Sequence, residues 1–211
     1  MSVIGRLILA GAAGVVATGT WGWFHFGDES ALTQTSKALL DALKAGDAGG
    51  TTAILASSET GSRLLNKELT RTSARSKETT KAEPHAMVPA LSEVRASLAK
   101  DGVDWNGAQP LAFGGVRAQV MDPATMQAFA TVVTGELYFA SGAGVFAVEF
   151  SARKCGSVFV ITDIWQYHSI KATKDQLAEY SSKRFREFMD EPEDPKETAR
   201  LRSPKHLFVV F

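Results

Sequence analysis

The sequence predicts an α+β fold: an N-terminal transmembrane helix, then helices packed on a curved four-stranded antiparallel sheet, then a C-terminal amphipathic helix and tail. Three observations predict it. Residues 7–24 read LILAGAAGVVATGTWGWF without an ionisable side chain, and apolar residues recur at helical spacing in two stretches between Glu29 and Gly102. Four runs rich in Val, Phe, Ile and Tyr then follow between Leu111 and Tyr167, separated by short turn-forming connections. On this reading 1–27 is a membrane anchor, 28–190 is one α+β domain with a polar insertion at 57–83, and 191–211 is a charged linker and apolar tail.

Eighteen weakly apolar residues reach the lower edge of what crosses a hydrocarbon core of roughly 30 Å. Arg6 and the amino terminus precede the run while Asp28 and Glu29 follow it, so the positive-inside bias leaves the amino terminus cytoplasmic and the domain outside. A bacterial inner membrane facing the periplasm is the default location, and a mitochondrial inner membrane would carry a similar segment. Trp21, Trp23 and Phe24 at the exit end suit the headgroup layer. Ala10, Gly14, Thr18 and Gly22 recur every four residues, a stripe that lets helices pack closely, although an alanine- and glycine-rich helix with no partner has the same composition. The expected contacts of the anchor are membrane lipid and other membrane-complex proteins. A cleaved signal peptide, with small residues at Val15 and Ala17, is the competing reading. A dinucleotide-binding loop over Gly11, Gly14 and Ala17 is excluded, because no alternating strand–helix series follows to build a parallel sheet.

Composition bounds the rest of the chain. Lys plus Arg equal Asp plus Glu at 23 each, so no global field attracts nucleic acid. Cys155 is the only cysteine, which excludes an internal disulfide and a multi-cysteine metal site and reads as a small buried hydrophobe.

From Glu29 to Ala45 a helix is expected, with Ser30 as cap, Leu32, Leu39, Leu40 and Leu43 on one face, and Gly46-Asp47 as the stop. Thr51–Ser57 reads as a second short helix. The Ser-, Thr-, Lys-, Arg- and Glu-rich insertion fits a polar helix or mobile loop whose charges are solvated. Pro84 opens another helix in which Met87, Val88, Leu91, Val94 and Leu98 form the stripe and Gly102 the end.

The four apolar runs, Leu111–Met121, Ala128–Ala140, Val145–Cys155 and Ser157–Tyr167, are joined too closely for parallel crossovers and therefore form a meander. In the third, Phe146, Val148, Phe150 and Ala152 face inward while Glu149, Ser151 and Arg153 face outward. In the fourth, strict alternation puts Phe159, Ile161, Asp163, Trp165 and Tyr167 on one face; both faces are apolar, which predicts a central strand. Thr173–Met189 reads as an amphipathic helix carrying Leu177, Tyr180, Phe185 and Phe188, and DEPEDPKE as a proline-broken linker. The closing residues Leu207, Phe208, Val209, Val210 and Phe211 dock on their own domain or enter a partner.

Helices first, then a meander closed by an aromatic strand, behind an anchor: this layout resembles the nuclear transport factor 2-like superfamily of cones. The stretches that bear the likeness are ALTQTSKALLDALKAGD, TGELYFASGAGVFAVEFSARK and VFVITDIWQY, and it covers Ala31 to Tyr167. The insertion at 57–83 and the tail depart from it. The resemblance implies a curved sheet wrapped on helices. Exported, anchored members resemble scaffold parts of envelope machines, such as assembly factors of type IV secretion systems, and other members are isomerases or dehydratases with an inward acid and often a tyrosine.

His25, His85, His168 and His206 show no metal-ligand spacing, and neither a nucleophile elbow nor a phosphate loop is present, so no metal, cofactor or catalytic residue is assigned. One constellation remains: Asp163 as an inward acid, with Tyr138 or Tyr167 supplying a hydroxyl and Trp105, Trp165 and Tyr167 as pocket walls. Against it stands a structural Asp163 that pairs with Arg117 or Arg153. The function expected is therefore a single-pass, membrane-anchored, noncatalytic scaffold domain of a membrane complex, as a homo- or hetero-oligomer. The alternative is a small-molecule-binding or isomerase/dehydratase-like cone.

Overall fold

Leucines spaced by three and four specify a helix with one buried side, and the first helix, α1 (28–45), has Leu32, Leu39, Leu40 and Leu43 fully enclosed. The computed structural model describes residues 28–46, 55–73, 88–121, 128–190 and 201–211. Within the polar insertion lies α2 (Glu59–Ser73). Ser58 starts it as an N-cap, its hydroxyl accepting from the Gly61 amide at 3.0 Å, with Glu59 in the first turn and Arg71 in the last to match the helix dipole. The next helix, α3 (Leu91–Lys100), begins later than the apolar spacing predicts. Pro89 explains the delay, since proline disfavours helical geometry at Val88 before it, and Ala90 at the cap is extended with ψ of 130°. The short helix expected over 51–57 is instead, at its described end, a turn in which Leu55 bridges Ile161.

The meander forms as β1 (Gln109–Met121), β2 (Ala128–Ser141), β3 (Gly144–Cys155) and β4 (Val158–Ile170). Gly142 and Gly156 adopt φ of 58° and 67° at the two hairpin tips, a left-handed backbone that glycine tolerates without a Cβ penalty. After a 3-10 turn (Lys174–Gln176) opened by a Thr173/Gln176 capping box comes α4 (Leu177–Asp190). The tail then forms β5 (Leu201–Val210). The sheet is five-stranded and antiparallel, in the order β4-β3-β2-β1-β5. The architecture is thus α+β with helices on the sheet, one strand wider than the sequence suggests, because the apolar tail pairs antiparallel with β1 from Ala112↔Val210 to Val120↔Leu201.

One face of the sheet packs on α1, α3 and Leu55, where Phe113, Val133, Leu137, Phe139, Val148, Phe150, Phe159 and Ile161 form one core with Leu39, Leu43, Val94 and Leu98. The other face carries a smaller cluster of Leu111, Ala112, Tyr138, Ala147 and Leu177 beneath α4. β4 is an edge strand, not the central one expected. Its outer edge is partly taken, since Leu55 bridges Ile161 and the Ala56 amide donates to the Ile161 carbonyl at 2.8 Å.

The membrane placement expected from the sequence is corrected: among the described residues no helix is long and apolar enough to cross a membrane. The physical reason is that these helices are amphipathic; α1 itself carries Asp28, Glu29, Lys37, Asp41 and Lys44. The expected transmembrane helix and its stripe of Ala10, Gly14, Thr18 and Gly22 lie outside the described residues, so a single-pass membrane location has no support in the fold.

Candidate functional site

Two bulges decide where the chemistry of β4 points. Its pairing with β3 runs Ala152↔Ile161, Ser151↔Asp163, Phe150↔Ile164 and Glu149↔Gln166, so Thr162 and Trp165 are each an extra residue without a partner in the ladder. The alternation therefore slips twice. Ile164, not Asp163, joins Phe159 and Ile161 in the core, while Asp163 lies opposite Ser151, half-buried. The four residues expected to wall one pocket separate. Trp105 is buried in the core, stacked on Phe139 with ring centroids 5.9 Å apart, and Tyr167 packs against that same core. Trp165 is 43% exposed and bonds toward the α4 side, donating from Nε1 to Glu149 Oε2 at 3.1 Å. The arginines considered for Asp163 are engaged elsewhere: Arg117 lies 2.9 Å from Asp28, which Lys154 also contacts, and Arg153 donates to Thr72 Oγ1 at 3.4 Å.

The strongest concentration of ionisable groups lies under α4. Glu136 on β2 and Glu149 on β3 are paired directly across the sheet, and both are buried, at 6% and 5% exposure. Arg184 reaches both from α4, with Nε donating to Glu136 Oε1 at 2.9 Å and Nη2 to Glu149 Oε1 at 3.0 Å. His168 Nδ1 stands 4.0 Å from Glu149 Oε1. Glu136 Oε2, the Tyr138 hydroxyl and His168 Nδ1 are buried without a hydrogen-bond partner.

Burial, helped by the Glu136 charge, pushes the Glu149 carboxyl above the ordinary glutamate range against the opposing pull of Arg184. The same two causes hold the Tyr138 phenol far above the usual tyrosine range and raise Tyr180. Burial works to lower Arg184, but its bond to Glu136 and the charges of both carboxylates outweigh that and raise it well above ordinary arginine.

α4 is tied to the sheet at two further points. Gly114 leaves room for it, since a Cβ there would fall 2.1 Å from Ser181 Oγ. Ser181 Oγ and His206 Nε2 of β5 are 2.9 Å apart, and the His206 ring packs on Phe185 at 5.2 Å. The cluster escapes the sequence reading because Glu149 is expected to face outward, and Glu136 is its partner across the sheet. The available signal is the amphipathic 173–189 segment, whose apolar side needs a surface to cover, with Arg184 two turns beyond Leu177.

A separate cleft of about 600 Å³ lies between α2 and the far ends of the strands, lined by Leu64, Lys67, Glu68, Arg71, Lys154 and Cys155 among others. Burial and the Glu68 charge raise the Cys155 thiol to about 11, which makes it a poor nucleophile near neutral pH. Among the described residues no group of three or more His, Cys, Asp or Glu side chains is placed to hold a metal ion. No family model, curated protein or solved structure matches the chain.

Proposed function

We propose that the chain is a noncatalytic protein-interaction domain, a scaffold subunit that takes an extended segment of a partner protein onto the β4 edge of its sheet. One observation carries the reading: among the described residues the exposed large apolar side chains, Val158 and Trp165 at 38% and 43% and Val210 at 65%, lie on the two outermost strands. A strand edge presents unpaired N–H and C=O groups that an added strand satisfies, with neighbouring side chains giving selectivity. From Asp163 to Ile170 no described residue pairs with the outer side of β4.

Two features support strand addition. Ala56 already donates to the outer side of β4 at Ile161, and the β1 edge is filled by the apolar tail in this same manner. The expected partner segment is extended and apolar opposite Trp165. Helices that precede a meander and fill one of its faces also fit a cone of the nuclear transport factor 2-like superfamily, with α4 and β5 as additions. The small-molecule alternative draws on the cleft beside α2 rather than on Asp163, which lies half-buried opposite Ser151.

A photoreactive benzoylphenylalanine at Trp165 tests the reading. In the source cell it should capture a distinct protein, whereas the same probe at Lys183, 71% exposed on α4, should not. Gln166→Pro, which disrupts β4, should abolish capture. Equal capture from both positions, or none from Trp165, overturns the proposal.

A further inference from the structure

We propose that Glu149, paired across the sheet with Glu136, keeps its proton in the folded chain, and that this bound proton, together with Arg184, fastens α4 to the sheet. Among the described residues, besides Arg184, only the His168 ring, 4.0 Å from Glu149, stands near the pair as a group that can carry positive charge. Two carboxylates that are 6% and 5% exposed and directly paired across β2 and β3 share one guanidinium, so the fully ionised cluster keeps one negative charge in a place from which water is largely excluded. A like charge so placed favours the neutral form of the Glu149 carboxyl.

Two buried oxygens beside the pair are short of hydrogen bonds. Glu136 Oε2 has no partner, and the fully buried Tyr138 hydroxyl, two residues away on the same face, has none either. A protonated carboxyl adds one donor beside those of Tyr138, Trp165 and Arg184. The groups facing the pair on every side are Tyr138 from β2, Trp165 and His168 from β4, and Tyr180 and Arg184 from α4, with Glu187 one turn beyond. From β5, His206 reaches α4 through Ser181. Burial shifts the Glu149 carboxyl in the direction that proton retention requires.

The consequence is directional. Protonated, the cluster is neutral overall and α4 is held; as the pH rises and the proton leaves, repulsion between the carboxylates works against the Arg184 clamp. The arm of α4 and β5, joined at Ser181 and His206, loosens as a unit.

The indole of Trp165 supplies a local reporter, because its Nε1–H donates to Glu149 itself. In the full chain labelled with ¹⁵N-tryptophan, the Trp165 indole signal, assigned by its loss in Trp165→Phe, should show a titration step above the ordinary glutamate range of 4.5. Glu149→Gln should abolish that step. Over the same pH interval, amide exchange of 177–187, corrected for the intrinsic chemical rate, should accelerate in the unmodified chain and stay flat in Glu149→Gln. Should that variant not fold, Glu136→Gln leaves one carboxylate to one guanidinium and should flatten the α4 profile equally. A Trp165 step at or below the ordinary range overturns the proposal, as does an α4 profile unchanged by both substitutions. A midpoint lowered by sodium but not by tetramethylammonium at equal ionic strength overturns it too, since a metal cation would then be the resident charge.

Discussion

At Gly114 the absence of one methyl group decides how near α4 can lie to β1. A Cβ built there meets Ser181 Oγ at 2.1 Å and Ser181 Cβ at 2.8 Å, and the Tyr138 ring stands behind at 3.0 Å. Gly114→Ala should therefore destabilise the chain by about 1–3 kcal/mol, the usual cost of overpacking. Ser181→Gly removes both clashing atoms, at its own helix-propensity cost of about 1 kcal/mol and with loss of the His206 contact. In a double-mutant cycle read by urea midpoints the pair should then cost less than the sum of the singles. Additive singles would mean that α4 does not sit where Gly114 places it. The same scale shows why Asp163 misled the sequence reading. Alternation along β4 is a count, and the bulges at Thr162 and Trp165 each add one residue to it, so Asp163 is carried out of line with Ile161 and Ile164 takes its place.

Among the elements, those whose signals are local were legible and those that depend on what lies opposite were not. The meander was readable because Gly142 and Gly156 punctuate it and the connections are too short for crossovers. α1 and α3 were readable from their leucine stripes, apart from the late start that Pro89 imposes on α3. The face covered by α4, and hence the Glu136–Glu149–Arg184 cluster, was not, since no local pattern states which side of a sheet a later helix returns to. β5 was half legible: its apolarity announced an edge to be paired but not whose. Its pairing with β1 gives a test by position. Leu207 is 5% exposed within the main core, so Leu207→Ala should cost about 2–5 kcal/mol in urea unfolding. Val210→Ala, at a position 65% exposed on the same strand, should fall within about 0.5 kcal/mol of the unmodified chain. Similar losses at both sites, or none at Leu207, would show that the tail is not held as a strand of this sheet.

For the whole molecule, the response to pH follows from two groups with opposite sign on the two sides of α4. Glu149 is raised in the folded state, so the native chain binds its proton more tightly than the unfolded chain does. Its stabilising contribution is fully present below the ordinary value of 4.5 and is lost as pH rises through the raised one. His206 is lowered by burial, so the native chain binds that proton less tightly, and its contribution is present above 6.5 and lost as pH falls through the lowered value. Acidification through the interval between these ordinary values therefore gains stability at Glu149 while losing it at His206, and the two slopes offset one another. Single substitutions should expose them separately. Urea midpoints of Glu149→Gln, taken relative to the unmodified chain, should decline as the pH is lowered across this interval, because the unmodified chain gains the Glu149 contribution that the variant lacks. Those of His206→Gln, which keeps a hydrogen-bonding group beside Ser181, should climb over the same range. Relative midpoints that are flat for both variants would mean that neither group is linked to folding, and the proton-held attachment of α4 would fall with them.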